Sequence, residues 1–232
     1  MIRLRIYGRN VVKEALDSNE VIKRAYIYKK FNDKDILYKL IKNNIKIDYL
    51  EKYELDKIES GNHQGIILEV NDYDYASIDE IIDDRVVVML DHLEDPHNLG
   101  AIIRTCEAAG VKSIVIPKDR AVKVNSTVIK VSVGAIKNVR IVMVNNLVNT
   151  LKELKDNGFW VIGTDMQGAD YRTLDYSGKV VLVIGNEGKG LSRLTRENCD
   201  FMARIPMRGE VNSLNASVAA ALVIYEAVKD EL

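Results

Sequence analysis

Apolar and polar residues follow short, mixed periods over the first 70 positions. Some stretches place apolar residues three or four apart, as on one face of a helix, whereas others alternate them with polar residues, as in a half-buried strand. The helical stretches are NVVKEALDSN, DKDILYKLIKNN and EKYELDKI, and the strand-like ones are RAYIYKK, IKIDYL and GNHQGIILEV. We therefore predict a small α/β domain over residues 1–70.

The pattern changes at residue 85, where near-continuous apolar runs begin. RVVVMLD is typical of a strand buried on both faces of a parallel sheet. Similar runs follow at intervals that leave room for helices: SIVIP, RIVMV, FWVIGT, VVLVIG and MARIP. Asp95, Pro96 and Gly110 suit the start and end of one helix, and SLNASVAAALVIYEAVKDEL predicts another. The predicted class of residues 85–232 is α/β with a mainly parallel sheet.

The segment NDYDYASIDEIIDD separates these regions and is polar and acidic. Residues 71–85 carry six acidic side chains and one basic one, whereas residues 1–70 carry 11 acidic and 14 basic ones. We predict that residues 71–84 form a linker. The net charge of −1 still permits a nucleic acid partner, because the acidic excess is confined to this segment.

The composition is that of an ordinary globular protein, with 232 residues, 47% of them hydrophobic and 29% charged. No apolar run approaches the roughly 18 residues that span a bilayer. Cys106 and Cys199 lack CxxC spacing, and with three histidines they form no zinc pattern. These features predict a cytoplasmic protein with reduced thiols and without a membrane segment or a metal.

Three loops after predicted strands combine glycine or proline with amides, hydroxyls and charges. They are LDHLEDPHNLGAIIRTCEAAG, IGNEGKGLS and IPMRGEVNSLNASVAAA. Each has an ordinary alternative interpretation: Asn98 and Ser213 as helix caps, Arg104 as a surface partner of Glu107, and Glu187 as a solvated residue. Ligands bind at the carboxyl ends of parallel strands. The presence of all three loops in one domain therefore favours a binding site there.

The glycine loop VIGNEGKGLS matches neither common phosphate-binding pattern. A dinucleotide fingerprint reads G-x-G-x-x-G and a P-loop reads G-x-x-x-x-G-K-[ST], whereas Gly185, Gly188 and Gly190 read G-x-x-G-x-G. Glu187 would also repel a phosphate held on backbone amides. We predict that this loop holds no phosphate; a tight turn without any ligand is the alternative.

The three loops resemble the signature motifs of the SpoU branch of the SPOUT RNA ribose 2′-O-methyltransferases. DPHNLGAIIRT is similar to the first motif, VIGNEGKGLS to the second and IPMRGEVNSLNASVAAA to the third, with Ala216 where the family often has valine. YGRNVVKEAL and NHQGI resemble the L30e-like substrate-binding domain of the bacterial 23S rRNA guanosine methyltransferases. The resemblance implies a trefoil knot in residues 85–232, S-adenosylmethionine as cofactor and a 23S rRNA guanosine as substrate.

The resemblance also assigns site residues. The implied catalytic and substrate-binding residues are Arg104, Asn98, Glu187, Ser213 and Asn215. The implied cofactor-binding residues are Gly185, Ile205 and Leu214, with Thr164 and Met207 as weaker candidates. An arginine stays protonated at neutral pH, so we expect Arg104 to hold an RNA phosphate and stabilise a developing alkoxide rather than act as the base.

Other residues are candidates on their chemistry alone. His92, His97 and His63 are alternative bases, because histidine titrates near neutral pH. Two basic clusters are candidate RNA contacts, or else ordinary solvated faces. They are Arg3, Arg5 and Arg9, and Lys118, Arg120 and Lys123. Cys106 is expected to be a small core residue.

The alternatives in function are the same chemistry on tRNA and a non-catalytic RNA-binding homologue. The amino-terminal domain favours rRNA, and the presence of all five candidate catalytic residues favours an enzyme. A homodimer through the carboxyl-terminal domain is also expected, because the last helix is apolar around much of its circumference and the family dimerises there. Val223 and Ala220 are the expected interface positions.

Overall fold

The computed structural model describes residues 4–17, 21–210 and 213–231. The chain forms two compact units. Unit 1 comprises Met1–Asp74 and Val124–Lys130, and unit 2 comprises Tyr75–Lys123 and Val131–Leu232. Among the described residues, no helix is both long and apolar enough to cross a membrane.

Unit 1 is an α/β domain built on a four-stranded mixed sheet. Its elements are β1 (Arg5–Tyr7), α1 (Arg9–Asp17), β2 (Ile22–Tyr28), α2 (Lys34–Lys42), β3 (Ile47–Leu50), α3 (Lys52–Ile58) and β4 (Ile66–Val70). The strand order is β1-β4-β2-β3. β4 is antiparallel to β1 and β2, whereas β3 is parallel to β2.

The core of unit 1 follows from the apolar spacing of its helices and strands. Every residue of β4 is buried, and Ile36 and Leu40, one turn apart on α2, pack with Ile27 of β2. Asp33 begins α2, since its carboxylate accepts a hydrogen bond from the Ile36 amide at 3.3 Å. This unit therefore folds around its own hydrophobic core.

Unit 2 contains a six-stranded sheet in which all neighbouring strands are parallel. The strands are β5 (Val86–Asp91), β6 (Ser113–Pro117), β7 (Arg140–Val144), β8 (Phe159–Asp170), β9 (Lys179–Gly185) and β10 (Phe201–Arg204). The helices are α4 (Pro96–Ala108), α6 (Leu147–Asp156), α7 (Arg193–Glu197) and α8 (Ala216–Val228), and α5 (Ser126–Ser132) spans the sequence boundary between the units. The strand order is β10-β8-β9-β5-β6-β7. The predicted α/β class with a mainly parallel sheet is confirmed.

Helix α4 begins and ends where its sequence predicts. Asp95 is the N-cap, with its carboxylate accepting from the His97 amide at 2.9 Å, and Pro96 occupies the first turn. Gly110 follows the helix with φ +74°, in the left-handed region that glycine adopts readily. Both ends of α4 are therefore set by residues of its own sequence.

The acidic segment before β5 packs partly against unit 2. Ala76 forms a β-bridge with Val142, and Ile81 is fully buried in the core of the sheet. Asp84 accepts hydrogen bonds from the Ser113 hydroxyl and, at 2.7 Å, from the guanidinium of Arg140. From Ala76 onward, residues expected in the linker thus contribute to this unit.

The sequence-based choice of outward positions on α8 was wrong. Ala220 and Val223 are both 0% exposed, whereas Val218, Leu222 and Tyr225 are 47%, 37% and 42% exposed. Because α8 is apolar around its circumference, the sequence did not distinguish the stripe that packs inside from the stripe that faces outward. The outward apolar face consists of Val218, Leu222 and Tyr225.

Candidate active site

The sheet places the first two motifs side by side. β5 and β9 are neighbours, and Asp91 at the end of β5 lies opposite Gly185 at the end of β9. From β5 the chain continues outward through β6 and β7, whereas β9, β8 and β10 lie on the other side. Such a change in winding direction leaves a crevice at the carboxyl ends of the strands, where ligands bind in open α/β sheets.

Asp91 connects the end of β5 to the loop that follows β9. Its carboxylate is 1% exposed, and it accepts a hydrogen bond from the Ser192 amide at 2.6 Å. The other oxygen lies 2.5 Å from Nδ1 of His92. Sequence reasoning missed Asp91; its only signal was a carboxylate at the end of a buried strand.

Asn186 fixes the shape of the glycine loop, and sequence reasoning missed it as well. Its side-chain amide donates to the carbonyl of His92 at 2.9 Å, while its Oδ1 accepts from the amides of Gly188 at 3.0 Å and Lys189 at 3.4 Å. The backbones of Asn186 and Gly190 also pair with each other at 2.8 and 3.1 Å. The Gly188 and Lys189 amides are thus already occupied within the loop.

Sterics explain why two positions of the loop are occupied by glycine. A Cβ atom on Gly185 would lie 2.4 Å from the carbonyl carbon of Gly190, closer than packed atoms approach. Gly190 itself has φ +64°, which a side chain rarely tolerates. The loop therefore folds back onto the end of β9 only with glycine at these two positions.

A hydrogen bond joins the first motif to the second. Asn98 on α4 is 4% exposed, and its Nδ2 donates to Oε1 of Glu187 in the glycine loop. Glu187 therefore has a structural role in this loop, because it binds the side-chain amide of the buried Asn98. Asn98 is not the helix cap, a position that Asp95 occupies.

Arg104 is exposed on the same helix and makes no hydrogen bond or ion pair with any described residue. The alternative partner, Glu107, instead accepts from the side-chain amide of Asn138 at 3.1 Å. The guanidinium of Arg104 is therefore available to a ligand.

The third motif leads into α8, and its N-cap differs from the expected residue Ser213. Asn215, not Ser213, is the N-cap, because its Oδ1 accepts from the amides of Ser217 at 3.0 Å and Val218 at 3.4 Å. Ser213 is exposed, and within the described residues no side-chain hydrogen bond joins Ser213 or Asn215 to Asn98 or Glu187. The chain alone thus assembles two of the three motifs through direct contacts.

Of the predicted cofactor residues, Gly185 ends β9 and Thr164 lies within β8, whereas the other three lie on loops of unit 2. Ile205 and Leu214 are half-buried in the loops on either side of Val211 and Asn212, which lie outside the described residues. Thr164 donates its hydroxyl to the carbonyl of Val183 at 3.1 Å, which joins β8 to β9. Met207 is 37% exposed.

Two ranges of the chain match known protein families. Residues 85–225 match the SpoU rRNA Methylase family, and residues 5–76 match the domain described as RNA 2′-O ribose methyltransferase substrate binding. The chain belongs to the SpoU rRNA methylase family. The resemblance predicted from the three motifs is confirmed, and the chain is by family an RNA methyltransferase.

Two of the proteins similar to this SpoU protein match nearly its whole length, and a third matches two thirds of it. A Staphylococcus saprophyticus protein assigned to the TrmH family of tRNA/rRNA methyltransferases is 44% identical, covering 95% of this chain and 93% of its own. The AdoMet-bound rRNA methyltransferase of Sinorhizobium meliloti is 27% identical with a TM-score of 0.80, covering 99% of this chain and 88% of its own. The TrmH/SpoU tRNA modifying enzyme of A. aeolicus is 34% identical with a TM-score of 0.59, covering 66% and 80%.

Among the candidate RNA-contacting cations of the SpoU protein, one forms a hydrogen bond with the backbone of unit 1 and the other described ones are exposed. Arg3 lies outside the described residues. Arg5 donates its guanidinium to the carbonyl of Ile58 at 2.7 Å, which gives it a structural partner in unit 1. Arg9 is exposed, and so are the three cations of the second cluster: Lys118, Arg120 and Lys123.

The histidine and cysteine alternatives have other partners or surroundings. His92 is engaged with Asp91, and His63 is 5% exposed in unit 1. His97 is exposed in the first turn of α4.

Cys106 is fully buried, as expected, and burial raises the pKa of its thiol. Burial also raises the pKa of Cys199 to about 11. Neither thiol is therefore a nucleophile at neutral pH.

Proposed function

We propose that this chain transfers a methyl group from S-adenosylmethionine to the ribose 2′-hydroxyl of a guanosine in 23S rRNA. The observation that carries the proposal is the pairing of Asn98 with Glu187 at the β5–β9 crevice, beside motifs that belong to the SpoU family. The match of residues 5–76 to an RNA 2′-O ribose methyltransferase substrate-binding domain supports ribose as the methylated group.

The extent of the structural matches favours rRNA over tRNA. The S. meliloti rRNA methyltransferase aligns with 99% of this chain, so both units have counterparts in it. The A. aeolicus tRNA modifying enzyme aligns with 66% of the chain. The choice of guanosine comes from the likeness of YGRNVVKEAL and NHQGI to the 23S rRNA guanosine enzymes.

The glycine loop suits an adenosine that carries no phosphate. Its Gly188 and Lys189 amides donate to Asn186 and are not available to a phosphate, and Glu187 adds a negative charge. Gly185, Ile205 and Leu214 would hold the cofactor through their backbones, with Thr164 and Met207 beside them. When bound, S-adenosylmethionine would supply a methyl group attached to a positively charged sulfur. The sulfur would become a neutral thioether after the transfer.

The residues of the chain orient the ribose and balance its charge. The ribose 2′-oxygen would accept the methyl group, and its hydroxyl proton would pass to solvent water. Arg104 binds a neighbouring RNA phosphate and stabilises the negative charge that develops on the oxygen. Glu187 keeps the Asn98 amide in place, while Ser213 and Asn215 position the substrate from the third motif. Such alignment contributes several kcal/mol to lowering the barrier.

The active assembly in this proposal is a homodimer formed through unit 2. The exposed apolar face of α8, formed by Val218, Leu222 and Tyr225, supports it. Within the described residues, Ser213 and Asn215 at the start of α8 form no side-chain hydrogen bond with Asn98 or Glu187, so the partner subunit would complete each site.

Mapping of ribose methylation in a strain that lacks the gene tests the proposed function. We expect one 2′-O-methylguanosine to be missing from 23S rRNA, and to return when the wild-type gene, but not an Arg104→Ala gene, is supplied. Sequencing-based mapping of all rRNA and tRNA measures this directly. A methyl group lost from tRNA instead, or no loss in any RNA, would contradict the proposal.

A further inference from the structure

Unit 1 contains an open cleft of about 700 Å³ that the proposed methyl transfer does not use. Its walls come from the start of α1, the end of β2, helix α3 and the loop that leads into β4. The cleft is lined by two aromatic rings, three cations and one carboxylate, among other residues. They are Tyr28 and Phe31, then Arg9, Lys30 and Lys52, and Asp56.

Three hydrogen bonds of His63 and Gln64 hold the loop that leads into β4 and lines the cleft. His63 is 5% exposed, and its Nδ1 accepts a hydrogen bond from the Gly65 amide at 3.0 Å. The proton must therefore be on Nε2, which donates to Oδ1 of Asp56 at 2.9 Å. Gln64 adopts φ +51°, unusual for a residue with a side chain, and its Oε1 accepts from the amide of Arg9 at 2.8 Å.

Phe31 offers a flat surface inside the cleft. The guanidinium of Arg9 lies over its ring, 5.1 Å from the centroid. The ring packs against Gly65, where an added Cβ atom would lie 3.2 Å from it, and the backbone of Phe31 donates to the carbonyl of Tyr28 at 2.8 Å. An aromatic ring and an arginine plane together make a stacking site for an unpaired base.

Asp56 gives this stacking site a preference among bases. Its Oδ1 binds His63, its Oδ2 has no hydrogen-bond partner among the described residues, and its side chain is 54% exposed. Guanine presents two adjacent donors, N1–H and N2–H, which suit a carboxylate. Adenine has an acceptor at N1, so a carboxylate there disfavours it.

The cations at the rim suit an RNA backbone. Lys30 and Lys52 are exposed and form no ion pair with any described residue. A free phosphate alone would meet the negative charge of Asp56, whereas a nucleotide places its base on that side and its phosphate on the lysines.

We propose that this cleft binds one unpaired guanosine of the substrate RNA, with its base stacked on Phe31 and paired with Asp56, and with its phosphate on Lys30 and Lys52. The inference rests on the proposed function, since it concerns how unit 1 recognises the same RNA. It assigns unit 1 a specific nucleotide preference, beyond general attraction to RNA.

Binding of short labelled RNAs to the full chain tests this proposal. The probes are single-stranded UUGUU, UUAUU and UUIUU, in which inosine lacks only the 2-amino group of guanine. We expect fluorescence anisotropy to show about tenfold tighter binding of UUGUU than of the other two. Asp56→Asn should remove this preference, and Phe31→Ala should weaken all three complexes.

Asp35→Asn is the matched control, because Asp35 has the same 54% exposure but lies on α2 outside the cleft. It should keep the preference for guanosine. The inosine probe tests the amino contact on the wild-type protein, so the result does not depend on whether Asp56→Asn folds. Equal binding of the three RNAs by the wild type, or an unchanged preference in a folded Asp56→Asn variant, would overturn the proposal.

A methylation assay on 23S rRNA with the same preparations separates this proposal from the proposed function. Methyl transfer without any preference for guanosine in the short RNAs would refute the cleft proposal alone. A preference for guanosine that Asp56→Asn removes, in a protein that methylates no RNA, would support the cleft proposal and refute the proposed function.

Discussion

At the scale of single residues, some charged side chains of unit 2 have ion-pair partners among the described residues and others, including Arg104, have none. Arg140 pairs with Asp84 at 2.7 Å and Arg172 with Asp170 at 2.6 Å. Arg104 has no hydrogen bond or ion pair with the described residues, although it follows the motif residue Asn98 on the same helix. A guanidinium without a structural partner contributes little to stability, which suits a role toward a ligand.

Arg104→Ala should therefore separate activity from stability. We expect kcat to fall at least about 100-fold, because the variant loses a donor to the developing negative charge, while the thermal midpoint stays unchanged. Single-turnover methylation and thermal unfolding measure the two effects. Arg172→Ala, which removes another exposed arginine, is the control and should keep its activity. A folded Arg104→Ala variant with near-normal kcat would exclude the proposed role.

At the scale of elements, the sequence predicted the strands of unit 2 and the start of α4 but not how its loops are held. The start of α4 is local, since Asp95 and Pro96 act on their own helix. Asp91 and Ser192 are 101 positions apart, and Asn98 and Glu187 are 89 apart. Only the order of strands in the sheet brings these pairs together. The positions of the motif residues could be predicted, but their partners could not.

The glycine loop provides a sharp test at this scale. Gly185→Ala places a Cβ atom 2.4 Å from backbone, whereas Gly188→Ala meets nothing closer than Asn186 Oδ1 at 3.7 Å. We expect Gly185→Ala to lower the free energy of unfolding by about 1–3 kcal/mol and to weaken binding of S-adenosylhomocysteine. Gly188→Ala should do neither. Denaturant unfolding and calorimetry measure these effects, and a Gly185→Ala variant as stable and as well bound as Gly188→Ala would contradict the steric explanation of Gly185.

At the scale of the whole molecule, the α/β class followed from the length and spacing of apolar runs. β1 was missed because three residues are too few for a periodic pattern. The burial of Ile81 was not predicted, because the acidic residues around it make the segment look like a solvent-exposed linker. The trefoil knot and the domain limits at residues 70 and 85 stay predictions, since they rest on family likeness and on composition.

The outward face of α8 is an apolar surface that stays exposed in the described part of the chain. Leu222, Val218 and Tyr225 lie three or four positions apart and are each more than a third exposed. In a symmetric dimer the same face would meet itself, so one substitution would place two like charges in the interface. Val223→Glu, by contrast, would bury a charge in the core and unfold the protein, because Val223 is 0% exposed.

Leu222→Glu should therefore convert a dimer into a folded monomer and lower activity at the same time, since Ser213 and Asn215 at the start of α8 would lose their place beside the partner. Light scattering, thermal unfolding and methylation at one protein concentration measure the three quantities. Leu194→Glu, which changes a leucine that is 51% exposed on α7, is the control and should stay dimeric and active. A monomeric mass for the active wild-type protein, or a dimeric Leu222→Glu variant, would show that this face of α8 does not form the assembly.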